Sequence, residues 1–271
     1  MKIQEWVDRW ESRVPLDLQE DWDHSGKQLG NFDEDLTGVV MALDLTREAI
    51  DKAEEEDANL IFTHHPLFFS PLSDLVIGSP RVDLLVACIN KKIAVYASHT
   101  PFDLVDGGVN DILAEKIGLV DPAPLEERPQ SAPHRELARG MGRFGRLAES
   151  LSLEAYAEKL QKALNLPSIT CYGDPESRVD RVACLGGSGM DYVPHALAMG
   201  AQVLVTADIK YHQAQEAVRQ GLGLIDLSHY GSEYPALEVA MAWSRDFATE
   251  VPVSLVANGW DSIRWSSSHS L

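Results

Sequence analysis

Apolar and polar positions along the chain alternate between a helical and an extended period. Ile3, Trp6, Val7 and Trp10 recur at helical spacing and predict an amphipathic helix over Ile3–Arg13. Gly38–Leu45 (GVVMALDL) is a strand, and Thr46 is placed to cap the helix that runs into Glu54-Glu55-Glu56-Asp57. Asn59–Thr63 is the next strand. A helix near Val82–Asn90 then leads to strand Ile93–Ser98, and a further helix spans Gly107–Gly118. Beyond residue 140 the alternation resumes. Ser152 caps a helix to Leu164, and strands follow near Val179–Leu185, Gln202–Thr206, Leu222–Leu227 and Val251–Val256, with a long helix near Tyr234–Thr249. Helix and strand in turn predict an α/β fold with largely parallel strands.

Between Val120 and Arg139 the character changes. Four prolines and few large apolar residues predict a linker or irregular crossing. The expected organisation is two related α/β lobes with mixed, largely parallel sheets: residues 1–125 with part of a site, and 126–271 completing it. No short-period repeat or low-complexity tract interrupts this reading.

Composition narrows the function. Apolar residues are 45% of the 271, as in an ordinary globular protein. Acidic side chains number 42 against 23 basic ones, a net charge of −19, which makes nucleic acid an unfavourable partner. Cys88, Cys171 and Cys184 are widely spaced and form no CxxC pair, so they read as reduced thiols of a cytoplasmic protein. The amphipathic, acidic N-terminus is unlike a signal peptide, and no apolar run is long enough for a membrane span. A soluble cytoplasmic protein without a membrane partner is the expectation.

Chemistry gathers where strands end. Four apolar runs terminate in polar, ligand-capable residues: Leu60–His65 (LIFTHH), Ile93–Asp103 (IAVYASHTPFD), Val203–Asp208 (VLVTAD) and Leu224–Glu233 (LIDLSHYGSE). Neighbouring strand residues point to opposite faces, so His64 and His65 serve one site only at a strand end, where α/β proteins place their sites. Pro66 and Pro101 stop their strands. Each run also has a plainer reading, with Asp103 as a helix N-cap, or Ser232 as a cap and Glu233 beside the helix dipole. Together they offer three or four histidines and two carboxylates. Such a set suits Zn, Mn, Fe or Co rather than structural zinc. Five or six ligands exceed one catalytic ion and suit two, about 3.5–4 Å apart, able to generate hydroxide near neutral pH.

Three further motifs are less specific. Leu185–Met190 (LGGSGM) joins a strand to a helix and could cradle an anion with its backbone N–H groups, or be a plain tight turn. Thr206–His212 (TADIKYH) places Asp208, Lys210 and His212 at a helix start, where His212 and Glu216 could simply pair on the surface. Asp21–Gly30 (DWDHSGKQLG) is a turn-rich loop with several ionisable groups.

Taken in order, the DWDxSGxQxG loop, THHPLF, SHTPFD, GGxG, TxDIKYH and HYxSE make the chain resemble the NGG-interacting factor three family. These are dinuclear-metal proteins often labelled GTP cyclohydrolase I type 2 homologues. The resemblance spans nearly the whole chain. It implies His64, His65, Asp103, His229 and Glu233 as metal ligands, with Asp103 bridging, and His99 and His212 as accessory residues. It further implies two divalent ions per chain, a metal cleft between the lobes and a toroidal homohexamer in the compact form of the family. The function it implies is a metal-dependent hydrolase acting on a nucleotide or phosphoester. A non-catalytic metal-binding scaffold or regulatory ring is the alternative. Three residues depart from the family pattern: His24 for Asn, Lys27 for an apolar residue, and Ser228 for the common Gly before the histidine.

Overall fold

The computed structural model describes residues 1–256. The described chain divides into two compact units, Met1–His99 with residues 240–256, and Thr100–Val239. This differs from the expected cut at 125/126, and both reasons are physical. The last strand returns to the N-terminal sheet, and residues 119–127 are strand rather than linker.

In the first unit, α1 (Ile3–Arg13) buries Ile3, Trp6, Val7 and Trp10, the stripe that its spacing predicts. The sheet takes β1 (Gly26–Leu29), β2 (Val39–Ala42), β3 (Leu60–Thr63), β4 (Ala94–Ala97) and the returning strand β11 (Val253–Leu255) in the order β1-β4-β3-β2-β11. β1 is antiparallel to β4, and the other three pairings are parallel. Every residue of β2, β3 and β4 is buried, which is why they read as unbroken apolar runs rather than alternating ones. α2 (Arg47–Glu55) and α3 (Pro80–Lys91) make the crossovers, and Thr46 caps α2 by accepting the Ala49 N–H at 3.2 Å. Trp6 and Trp10 stack at 5.8 Å, Trp10 meets Phe62 at 4.6 Å, and the two indole N–H groups donate to Ser244 and Ser98.

The second unit contains α4 (Thr100–Leu104), α5 (Val109–Lys116), β5 (Leu119–Glu127), β6 (Gly140–Ser152), α6 (Leu153–Ala163), β7 (Thr170–Tyr172), β8 (Arg178–Ser188), α7 (Val193–Ala198), β9 (Val203–Ala207), α8 (Tyr211–Arg219) and β10 (Gly223–Asp226). α9 (His229–Phe247) begins in this unit. Its sheet runs β5-β6-β8-β9-β10-β7, with β8, β9 and β10 parallel and the flanking strands antiparallel. β5 corrects the linker expectation. Proline removes a ladder donor and is confined to edges and bulges. β5 is an edge strand, and a register shift between Val120 and Ala123, with Asp121 at φ 45°, accommodates Pro122. Within 120–139 only 128–139 lacks strand or helix. Among the described residues no helix is long and apolar enough to cross a membrane.

A buried cation organises the second unit. The Arg143 side chain is fully buried; its guanidinium donates to both oxygens of Asp111 and, through Nη1, to the carbonyls of Gly140 at 2.8 Å and Gly142 at 2.7 Å. Burial by itself would raise the Asp111 carboxyl, but the Arg143 hydrogen bond and charge, with the Gly107 N–H, outweigh it and hold the group below its ordinary value. A depressed carboxylate stabilises the fold in full above its unfolded pKa of about 4, and that stabilisation is lost as pH falls through the folded value. Asp111→Asn leaves a buried guanidinium undercompensated and should lower the unfolding free energy at neutral pH by about 3 kcal/mol. Urea melts of both proteins at neutral pH and at about pH 3 should show that gap narrowing in acid. An equal gap at both values would contradict the assignment.

Candidate metal centre

The parallel register of the first unit levels its strand ends. Ala42 pairs Thr63, and Thr63 pairs Ala97. Two residues beyond these partners, on three adjacent strands, come Asp44, His65 and His99. The ladder continues past the ends, His65 N–H donating to Leu43 O at 2.8 Å and Ser98 N–H to Thr63 O at 2.9 Å, which fixes the backbone that carries them.

Each imidazole there is held through Nδ1. His64 donates to Ser98 O, His65 to Asp44 Oδ1 and His99 to Asp23 Oδ1, all at 2.9 Å. The acceptor selects the tautomer, so Nε2 carries the lone pair that a metal takes. The donor atoms of His64, His65 and His99 lie within 4.8 Å of one another, and the rings are 5.0–5.6 Å apart by centroid. His99, expected as accessory, brings its donor atom into this group alongside those of His64 and His65. The DWDHSG loop explains itself here. Asp23, 6% exposed, binds the His99 ring, and Ser25 Oγ accepts the His99 N–H at 3.0 Å while donating to Asp23 at 2.8 Å.

The second unit repeats the device. His229 opens α9 and Glu233 follows one turn later on the same face, their Nε2 and Oε2 3.2 Å apart. His229 Nδ1–H donates to Asp208 Oδ2 at 2.6 Å. With the proton on Nδ1, Nε2 and the Glu233 carboxylate are two acceptors in contact, an arrangement that a shared cation or proton holds together. Their spacing is close to the edge of a coordination shell with bonds of about 2.1 Å. Glu233 is buried.

The glycine-rich turn supports this pair rather than an anion. Gly186 N–H donates to Asn110 Oδ1 at 3.1 Å and Gly187 N–H to Ser232 Oγ at 2.9 Å, so the cradle reading of LGGSGM does not hold for these amides. Gly187 has φ +65°, and a Cβ there would run into Glu233 Oε1 and come within 3.3 Å of the His229 ring. Ser232 is therefore not the cap of α9. That role falls to Ser228, whose Oγ accepts the Gly231 N–H at 3.0 Å. Asp103 lies inside α4, buried, so it is not an N-cap either. Asn110 donates to its backbone carbonyl at 3.0 Å and thereby links α4 to the glycine turn.

His212 is exposed on α8 with its ring against Tyr211, and Glu216 accepts from Gln220 instead of pairing with it. The sequence reading passes over Asp44, leaves Asp23 in an ambiguous loop, and places Asp208 at a strand end without giving it a ring to hold. The available signal was position. Asp44 ends the VVMAL run as the histidines end theirs. Imidazoles and carboxylates, with no thiolate among them, form a donor set that fits a divalent ion. The Cys88 thiol is pushed by burial to about 11 and that of Cys184 to about 12, so neither competes as a ligand near neutral pH.

Residues 1–257 match the family described as Duf34/NIF3 (NGG1p interacting factor 3). A Clostridium perfringens protein called a GTP cyclohydrolase 1 type 2 homolog is 30% identical over 237 residues, 88% of each chain. One of the same name from Nostoc sp. is 37% identical over 202 residues, 74% of each. A crystal structure of a Bacillus cereus protein related to NIF3 superposes with TM-score 0.90 at 24% identity, covering 98% of this chain and 99% of the other. A Staphylococcus aureus hypothetical protein gives 0.89 at 27% identity, with coverage of 98% and 99%.

If the carboxylates act by holding rings, Asp44→Asn should weaken divalent-ion affinity about 10–100-fold with the fold intact. Competition against a chromophoric chelator, with circular dichroism as the folding control, measures this. Unchanged affinity would remove Asp44 from the centre.

Proposed function

The chain belongs to the Duf34/NIF3 family, and we propose that it holds two divalent ions and uses them to hydrolyse a nucleotide or another phosphoester. The proposed ligands are His64, His65, Asp103, His229 and Glu233, with Asp103 the bridging carboxylate. His99 brings a ring nitrogen within 4.8 Å of those of His64 and His65. His212 has no part in the set. The observation that carries the reading is the Nδ1 hydrogen bond to an oxygen at His64, His65, His99 and His229, which puts the ligating lone pair of each ring on Nε2.

A bound pair of divalent ions supplies Lewis acidity and charge neutralisation for phosphoester cleavage. The chain's own residues position the donors. Asp44, Asp23 and Asp208 fix ring orientation, and Gly187 leaves the room that Glu233 and His229 occupy. The name borne by the relatives points toward a nucleotide as substrate. We take the working assembly to be a toroidal homohexamer in the cytoplasm, as the family resemblance implies.

Metal analysis after dialysis should find close to two ions per chain, and Asp103→Ala should lose most of them. One ion or none, unaffected by that change, would overturn the ligand assignment. With metal in place, nucleotides and phosphoesters screened with Mn or Zn should include one whose turnover His65→Ala abolishes at unchanged fold. Metal-loaded protein inactive on all of them would favour the scaffold or regulatory ring. Light scattering of the purified chain should give six chains per particle.

A further inference from the structure

Two large aromatic side chains stand exposed beside the histidine group of the first unit, on separate loops. Trp22 is 59% exposed and Phe69 is 47% exposed. Each ring lies 5.6 Å from the His99 imidazole by centroid, at interplanar angles of 77° and 84°. Two exposed rings converging on one polar donor group make a local apolar surface that a planar ligand can cover.

Hydrogen bonds of neighbouring residues fix the loops that carry both rings. Asp23 and Ser25, which follow Trp22 in the chain, bind the ring and the backbone N–H of His99. Gln28 joins the two loops. Its Nε2 donates to His24 O at 2.7 Å and its Oε1 accepts the Leu67 N–H at 3.1 Å, two residues before Phe69. Loops tied together in this way carry the exposed rings as a stacking surface. Tryptophan and phenylalanine accept the π-face of any base without reading its edge.

We propose that Trp22 and Phe69 form a stacking rim for the planar heteroaromatic ring of the substrate, such as a purine base, beside His99. This rests on the metal-centre reading and narrows its substrate to a nucleotide rather than a simple phosphoester. A ringless phosphate reaches the donors alone, while a nucleotide also covers the two rings.

The test compares guanosine 5′-monophosphate with ribose 5-phosphate on the metal-loaded full chain by calorimetry. The nucleotide should bind about ten-fold tighter or better, the gain expected from one stacked base. Trp22→Ala and Phe69→Leu should each cut that preference at least several-fold, through the nucleotide alone, while metal content and ribose 5-phosphate affinity hold. Trp22→Phe should restore most of it. Metal-dependent binding of both ligands with equal affinity would overturn the rim and leave the metal centre standing, and a preference untouched by either variant would do the same. Failure of the chain to retain metal would instead overturn the reading on which the inference rests. Variants that change the assembly mass but not the preference would assign the rings to contact between copies and overturn the rim.

Discussion

One bond type underlies the candidate centre: an imidazole Nδ1–H donated to an oxygen that is itself fixed at a strand end or strand-end loop. A neutral imidazole has two tautomers and a freely turning ring, and a metal can use neither until both are settled. Here the settling is done in advance, by Asp44, Asp23 and the Ser98 carbonyl in one unit and by Asp208 in the other. Both units thus reach the same solution independently. In the first it follows directly from parallel register, because level strand ends bring Asp44, His65 and His99 to equivalent positions.

The arrangement has a conformational cost, concentrated where the second unit turns. Asp208 and Ser228 take left-handed backbones at φ 55° and 66°. Asp226 offsets this by accepting from both turns, Ile209 N–H at 3.3 Å and Ser228 N–H at 2.9 Å. The conformation also explains a sequence departure. Ser228 stands where the family resemblance leads one to expect glycine, the residue that adopts positive φ without strain. Serine is tolerated because its hydroxyl caps α9. Gly187 has no such substitute, since any side chain there would displace Glu233.

Much of this was legible in the sequence, for a definable reason. Strands buried on both faces are unbroken apolar runs, so the polar residue that ends one stands out, and His64, His65, His99 and His229 were found that way. Helix caps such as Thr46 and Ser152 were legible because they act within one turn. What escaped was non-local. Asp44 resembles any carboxylate before a helix until register sets it beside His65. β5 was hidden by prolines that only an edge strand with a bulge admits, and the division into units was hidden because β11 pairs β2 across most of the chain. His212 had a suggestive motif but lies exposed on α8, away from any tautomer-fixing partner among the described contacts.

The central claim concerns protons on ring nitrogens, and long-range proton–nitrogen correlation spectra report these directly. In metal-free protein near neutral pH, four of the nine histidines, His64, His65, His99 and His229, should show the Nδ1–H tautomer. Adding a diamagnetic divalent ion should then move their Nε2 resonances and leave Nδ1 protonated. Nε2–H tautomers in the metal-free protein, or metal-induced shifts at Nδ1, would contradict the account.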